Sequence, residues 1–315
     1  MAFVGSGRRR AATLALALEV LLAGVAVGAG IVRHQPLGPD YVDIADVAAQ
    51  PFDVGAGSYT WDCGRNEIGH RNSANVVVTP GRPGAGHHLH DYIGNLSVDI
   101  PSTVRSLAGG GTTCGNGDES SYYWPVLRVV GADDGPHGGA VQVPVSISLT
   151  YYGNARSPVV EMPWLLRGTV GDAYALTNGG ARAAAVWSCS GSPDRRTTRY
   201  VICPGAERVL RIFDLPSCWD GRRADSSDHR QHLVFPAPGG GCPISTFAVP
   251  RLRIVVAYAI ARGTRYRIDS FEGQRHSPLT DHAFFVNLMP SALMREIVHC
   301  LNAGLVCTDR SQRGS

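Results

Sequence analysis

Between Val141 and Tyr151 an apolar residue recurs at every second position. Val141, Val143, Val145, Ile147, Leu149 and Tyr151 fall on one face, with Gln142, Ser146, Ser148 and Thr150 on the other. A period of two over that length excludes a helix and demands a half-buried strand. Pro144 has no ladder donor, so a sheet edge or a bulge is expected there. Leu252, Ile254, Val256 and Tyr258 repeat the pattern, with Arg251 and Arg253 opposite. Shorter apolar runs at 75–79, 183–187, 208–213 and 231–235 read as further strands. Only the segment from 291 to about 301 has helical spacing. Its stripe is Leu293, Met294, Ile297, Val298 and Leu301, and Ser291 is the expected N-cap. With 38 Gly and 20 Pro, turns should be frequent without reaching low complexity. These features predict a mainly β chain: an antiparallel β-sandwich or jelly-roll-like single domain with long loops and one C-terminal helix. A parallel α/β fold is disfavoured.

Arg8, Arg9 and Arg10 precede an apolar stretch from Ala11 to Val32, broken only by Glu19. A positive segment followed by an apolar one is the signature of export. The stretch is also long enough to span a bilayer as a helix. Val27-Gly28-Ala29 offers an imperfect cleavage site, so a cleaved signal peptide and a retained signal-anchor both stand. Either places the rest of the chain outside the cytoplasm, extracellular or on the outer face of the cytoplasmic membrane. On this reading 1–32 is leader, 33–57 a polar linker, 58–307 the folded domain and 308–315 a disordered tail. The eight cysteines agree with export. Neighbour logic pairs Cys189 with Cys203, Cys218 with Cys242 and Cys300 with Cys307, leaving Cys63 for Cys114. No C-x-x-C pair exists, so staples are expected rather than a thiolate zinc site. The 29 basic residues, all Arg, against 26 acidic ones give a net charge of +3. That is too little for a nucleic-acid partner.

Polar chemistry concentrates in four places. In His87-His88-Leu89-His90-Asp91, an extended backbone puts His88 and His90 on one face. Two adjacent imidazoles suit Zn, Cu or Ni, and Asp91 could orient a ring. The plain alternative is a hydrogen-bonded loop beside a Gly-rich turn. The second cluster runs from Cys218-Trp219-Asp220-Gly221 to Asp225-Ser226-Ser227-Asp228-His229-Arg230-Gln231-His232. Here Asp228, beside His229, could tune that histidine as a general base, or the run is an Asx-rich turn. The third, Asp118 to Pro125, carries Tyr122 and Trp124, which serve either as a sugar platform or as core. The fourth is His282 beside an apolar run. No G-x-S-x-G, H-E-x-x-H, Walker or G-x-G-x-x-G motif occurs, which removes support for serine hydrolases, zincins, nucleotide binders and dehydrogenases.

These clusters, in this order, resemble a secreted bacterial and fungal family known as a domain of unknown function, DUF1996. The matching stretches are Gly81 to Asn95, Thr112-Thr113-Cys114, Asp118 to Pro125, Cys218 to His232 and Cys242-Pro243. His87 and Gln231 replace serines of that pattern, Thr246 replaces a histidine, and Phe284 takes the place of an aspartate after His282. If that aspartate is a catalytic acid in relatives, this chain binds without turning over. The resemblance implies polysaccharide-rich surroundings but no reaction. Three functions follow as expectations. One is a carbohydrate-active hydrolase or lyase of the cell envelope. Its catalytic candidates are His90, Asp91, Asp228, His232 and His282, and its substrate-binding candidates are Tyr122, Trp124, Asn95 and Trp219. Another is a metal site of Zn or Cu on His88, His90 and His232, with His282 as a further ligand. The third is a non-enzymatic protein that binds cell-wall polysaccharide. An uncleaved leader would add membrane contact.

Overall fold

The computed structural model describes residues 37–51, 55, 57–82, 88–131 and 135–309. The leader at 1–32, His87 and the tail after 309 lie outside the described residues. The first strands are β1 (Tyr41–Asp43), β2 (Ser58–Trp61), β3 (Arg71–Asn72), β4 (His90–Gly94), β5 (Ser121–Pro125), β6 (Leu127–Val129) and β7 (Ala140–Val141). Then come β8 (Ser146–Tyr152), β9 (Arg167–Gly171), β10 (Val186–Cys189), β11 (Ser192–Thr197), β12 (Tyr200–Ile202), β13 (Val209–Asp214) and β14 (Cys218–Trp219). The last are β15 (Leu233–Val234), β16 (Phe247–Ala248), β17 (Arg251–Tyr258), β18 (Tyr266–Ile268), β19 (His282–Val286) and, after helix α1 (Ser291–Asn302), β20 (Val306–Thr308).

A seven-stranded sheet has the order β11-β10-β13-β17-β8-β2-β20, and a five-stranded sheet the order β3-β4-β5-β19-β9. Two three-stranded sheets and the β1/β12 pair complete the set. All pairings are antiparallel except β1 with β12 and β2 with β20. The chain is therefore mainly β, antiparallel, with one α-helix among the described residues. Both large sheets contribute to one buried core. Across it, the rings of Trp61 (β2) and Tyr122 (β5) lie 6.2 Å apart, and those of Trp124 (β5) and Phe213 (β13) 6.3 Å. The opposite face of the five-stranded sheet is buried as well: Tyr92, Tyr123, Phe284 and Val286 pack under Val76, Val77, Val98, Val104 and Leu107.

Several expectations are met and several are corrected. The β17 pattern holds over its whole length, and 208–213 is β13. Of 183–187 only the end is strand, in β10, and of 231–235 only β15. Pro144 is neither at an edge nor in a bulge. It ends the alternation, so that β8 starts at Ser146 and lies centrally between β17 and β2. The run 75–79 is a turn: Asn75 Oδ1 accepts from Val78 N–H at 3.0 Å and its carbonyl from Thr79 N–H at 2.8 Å. The Tyr123 hydroxyl accepts from Val77 N–H (3.2 Å) and donates to Asn75 (2.8 Å), which fastens this turn onto the sheet. Within the expected linker, Tyr41–Asp43 pairs with β12 and Ile44 enters the core, because an apolar Ile beside a strand edge has somewhere to bury. Helix α1 buries Met294, Ile297, Cys300 and Leu301, but Ser291 is its first residue and Pro290 the cap position.

The four disulfides join Cys63 to Cys114, Cys189 to Cys203, Cys218 to Cys242 and Cys300 to Cys307, as neighbour logic predicts. They fit an oxidising compartment, and each contributes roughly 2–4 kcal/mol. No helix among the described residues is long and apolar enough to cross a membrane.

One charged pair lies inside the core. Arg211 on β13 is fully buried and bonds Asp281 through Nε (3.0 Å) and Nη2 (2.6 Å). Burial opposes its charge, but the adjacent Asp281 carboxylate outweighs that and raises the guanidinium above its ordinary pKa. Removing one partner leaves an uncompensated charge in low dielectric. Arg211→Met is therefore expected to lose about 3–5 kcal/mol in urea unfolding, and adding Asp281→Asn to recover much of it.

Candidate functional site

Strand geometry decides which side chains reach the outer face of the five-stranded sheet. On β4, His90 and Tyr92 point outward while Ile93 faces the inter-sheet core. On β19 His282 and Phe284 point outward, as does Thr169 on β9. His90, Thr169, His282 and Phe284 floor a cavity of about 270 Å³. Its walls are loops: the 75–79 turn, Asp172 with Tyr174, Arg182, residues 228–230, and Phe271.

Two local devices bring the floor together. Leu89 N–H donates to Asp269 Oδ2 at 3.2 Å and its carbonyl accepts from Val126 N–H at 3.0 Å, which pins His88 just ahead of β4. Asp269 is held in turn by Arg128 at 2.6 Å. On β9, Gly171 pairs with His282 at φ +75°, where an added Cβ would stand 2.1 Å from the Asp281 carbonyl oxygen. Only glycine permits that approach.

The result is a buried cluster of His88, His90 and His282 whose potential ligand nitrogens all lie within 4.8 Å of one another. His88 Nε2 and His282 Nε2 are 3.4 Å apart. That is close to the edge of a tetrahedron whose corners stand about 2.0–2.1 Å from its centre, the Zn–N distance. His282 Nδ1 lies 2.8 Å from the Thr280 carbonyl. In the neutral ring Nδ1–H donates there, which leaves the Nε2 lone pair for the cluster. Burial, against the Thr280 carbonyl, pushes the His282 pKa down to about 4. Burial and then the charges of His88 and His282 hold His90 well below the ordinary value. The Ala74 carbonyl opposes this shift, yet neither ring nitrogen of His90 makes a hydrogen bond of normal geometry. Neutral imidazoles are the form that ligates metal.

A second histidine unit stands in the wall. His229 Nδ1 is 2.9 Å from Asp225 Oδ1, and Asp225 also pairs with Arg167. His229 lines the cavity and its Nε2 makes no hydrogen bond among the described residues, an arrangement suited to proton transfer. His229 adopts φ +55°, uncommon for a side-chain-bearing residue.

The remaining predicted residues go elsewhere. Asp91 faces away from the cavity, bound by Arg71 at 2.5 Å and Asn66 at 2.8 Å, so it cannot orient His90. His232 is buried outside the cavity with both nitrogens engaged, by Ser226 Oγ at 3.0 Å and the Arg167 carbonyl at 2.8 Å. His232 therefore does not join His88 and His90, and the third imidazole beside them is that of His282. Tyr122 and Trp124 are wholly buried in the inter-sheet core and offer no platform. Asn95 is buried and bonds the Leu107 and Glu119 carbonyls. Trp219 donates to the Arg223 carbonyl at 2.7 Å, away from the cavity. Asp228 does line the cavity, but its Oδ1 caps its own turn, accepting from Ser226 Oγ, Arg230 N–H and Gln231 N–H. Thr169, Asp172, Tyr174, Arg182 and Arg230 line the cavity without having been singled out by the sequence, and His229, expected to be tuned by Asp228, is held instead by Asp225. For that pair, four-residue spacing within a polar run was the available signal.

Slight burial raises the Asp228 pKa, but the Gln231 N–H, the Ser226 hydroxyl and the Arg230 N–H together hold it down to about 2. A carboxylate depressed on folding stabilises above its unfolded pKa of 3.8 and loses that contribution as pH falls through about 2. Asp228→Ala should cost about 1 kcal/mol at pH 6, as for other capping residues. Urea midpoints of parent and variant should converge as the pH approaches 2.

No curated protein matches this chain, and no solved structure does. The family model described as a domain of unknown function, DUF1996, matches residues 75–282, well over half the chain. That span holds His88, His90 and His282 together with the Asp225–His229 pair. The chain belongs to the DUF1996 family.

Proposed function

We propose that this protein is an exported, metal-dependent enzyme acting on cell-envelope polysaccharide, a hydrolase or lyase, on a sandwich-like pair of sheets. Zn or Cu is held by His88, His90 and His282. The observation that carries this reading is the convergence of three buried imidazoles, two of them neutral by burial, on the floor of an open cavity. A metal held by these three histidines would supply Lewis acidity to a group in the cavity. Thr280 fixes the His282 tautomer, and His229, oriented by Asp225, carries the proton. A retained leader helix would keep the protein at the membrane's outer face.

A non-catalytic reading has one observation in its favour. Phe284 stands beside the cluster, its ring 5.3 Å from His282 and 6.4 Å from His90, at the position where the family pattern has aspartate.

Elemental analysis of protein purified without a His tag is expected to find one Zn or Cu per chain. His90→Ala and His282→Ala should each lose it, and His229→Ala should keep it. On a panel of wall polysaccharides, the parent should release new reducing ends or unsaturated products. Chelation should abolish that release, and His229→Ala should slow it by about 10²–10⁴-fold. Substoichiometric metal, or metal retained without His90 and His282, would sink the metal site. Stoichiometric metal and glycan binding without products would favour the non-catalytic reading.

A further inference from the structure

The cavity carries polar groups that three imidazoles do not use. Thr169 Oγ1 is buried, lines the floor and has no hydrogen-bond partner. A buried hydroxyl without a partner calls for an explanation, and a group seated on the cavity floor beside it would supply one. Arg182, exposed on the wall, makes no ion pair or hydrogen bond among the described residues. Arg230 is half-buried, and its guanidinium makes a single hydrogen bond, Nη2 to the Gly171 carbonyl at 2.7 Å, with no carboxylate within ion-pair distance. Burial lowers its pKa; Asp172 and Asp228 oppose this, while the charge of Arg182 adds to it.

The carboxylates of the cavity are already engaged. Asp172 accepts from Tyr174 N–H at 2.9 Å and Asn178 Nδ2 at 2.8 Å, and Asp228 caps its own turn. Two guanidinium forks therefore line the space with no carboxylate in ion-pair contact among the described residues, although Asp172 and Asp228 stand nearby, and such forks receive carboxylate or phosphate. Beside them Tyr174, 51% exposed, lies stacked on Phe271 with ring centroids 4.7 Å apart and planes at 13°. This is the open, flat aromatic face that neither Tyr122 nor Trp124 provides, and it suits the apolar face of a pyranose. A cavity of about 270 Å³ falls just below the range typical of ligand pockets, so it takes a single sugar unit rather than a long segment.

We infer that the cavity is a subsite for an anionic pyranose, as in a uronic-acid polymer. Its anion is held by Arg182 and Arg230, its ring by Tyr174, and one of its hydroxyls by Thr169. This names the substrate class of the polysaccharide site proposed above and rests on that reading of the cavity. The bound cation would add to the attraction for an anion, and the arginines discriminate it from neutral sugars.

Calorimetric titration of the zinc-supplemented full chain with trigalacturonate, glucose 6-phosphate and maltotriose tests the inference. Trigalacturonate should bind at least about tenfold more tightly than neutral maltotriose, and less tightly as salt rises. Arg182→Ala removes an exposed, unpaired side chain without touching the fold, and should weaken trigalacturonate by about tenfold. Adding Arg230→Ala should weaken it further, and Tyr174→Ala should weaken every sugar that binds. Glucose 6-phosphate binding more tightly than trigalacturonate, with the same arginine dependence, would assign the anion as phosphate and keep the subsite. Equal affinity for maltotriose, no binding of either anion, or an unchanged Arg182→Ala variant would overturn it. Metal content is read on the same samples. Arginine-dependent anion binding without stoichiometric zinc refutes the metal reading and leaves the subsite standing. Stoichiometric zinc without anion binding does the reverse.

Discussion

The Arg211–Asp281 pair is the constraint on which the arrangement of the molecule depends. A guanidinium with no contact with water is tolerable only if its donors are matched, and here Asp281 takes two of them, the Pro125 carbonyl a third at 2.8 Å and the Tyr258 hydroxyl a fourth at 3.3 Å. The aromatic faces of Trp187 and Phe213, 5.4 and 5.3 Å from the guanidinium carbon, enclose it. These partners come from both large sheets, so the pair ties β13 to the end of β5 and to the start of β19. Asp281 immediately precedes His282, and its Oδ1 also accepts the His282 backbone N–H at 2.9 Å. The ion pair contributes position more than stability: it sets where β19 begins, and therefore where the His282 imidazole emerges on the far face.

From that point the site follows as a division between sheet and loop. The floor residues His90, His282, Phe284 and Thr169 sit on strands whose reverse side is packed into the main core, so their backbones cannot drift. The wall residues come from loops, each fastened by its own hydrogen bonds: the 75–79 turn by Tyr123, the Asp172 loop by Asn178, the 228–231 turn by Asp228. A rigid floor with separately anchored walls is how sheet proteins combine fixed ligand geometry with variable specificity.

This division also explains what the sequence could disclose. Alternation is visible in β8 because Ser146 and Ser148 meet solvent, and in β17 because Arg251 and Arg253 stand on the face opposite Leu252 and Ile254 although most of that strand is buried. The strands β4, β5 and β19 are buried on both faces, so His90-Asp91-Tyr92, Tyr122-Tyr123-Trp124 and His282-Ala283-Phe284 show no polar alternation. Which ring faces the cavity depends on register alone. Trp124 therefore looked as available as any aromatic, although it sits on a strand with neighbours on both sides. Three of the disulfides were legible because their partners lie 7 to 24 residues apart, and Cys63 with Cys114, 51 residues apart, followed as the remaining pair. The cavity walls were not legible, because Tyr174, Arg182 and Phe271 lie in loops far apart in sequence that meet only once the sheet beneath them has formed.

His232 and His90 make an internal comparison that bears on what the cluster is for. Both are fully buried, and burial lowers both pKa values. A histidine kept for structure should have its nitrogens matched, since an unpaired buried polar group is costly. His232 meets that condition with Ser226 and the Arg167 carbonyl. His90, on a strand that any apolar side chain could serve, leaves both nitrogens without a normal hydrogen bond and places them beside two more imidazoles. His282 has one nitrogen fixed by Thr280, and its other nitrogen meets His88 Nε2 instead of a carbonyl or hydroxyl. Two imidazoles meeting nitrogen to nitrogen must share either a proton or a cation. A proton would satisfy that one contact and do nothing for His90, whereas a cation on the cavity floor would satisfy all three rings at once.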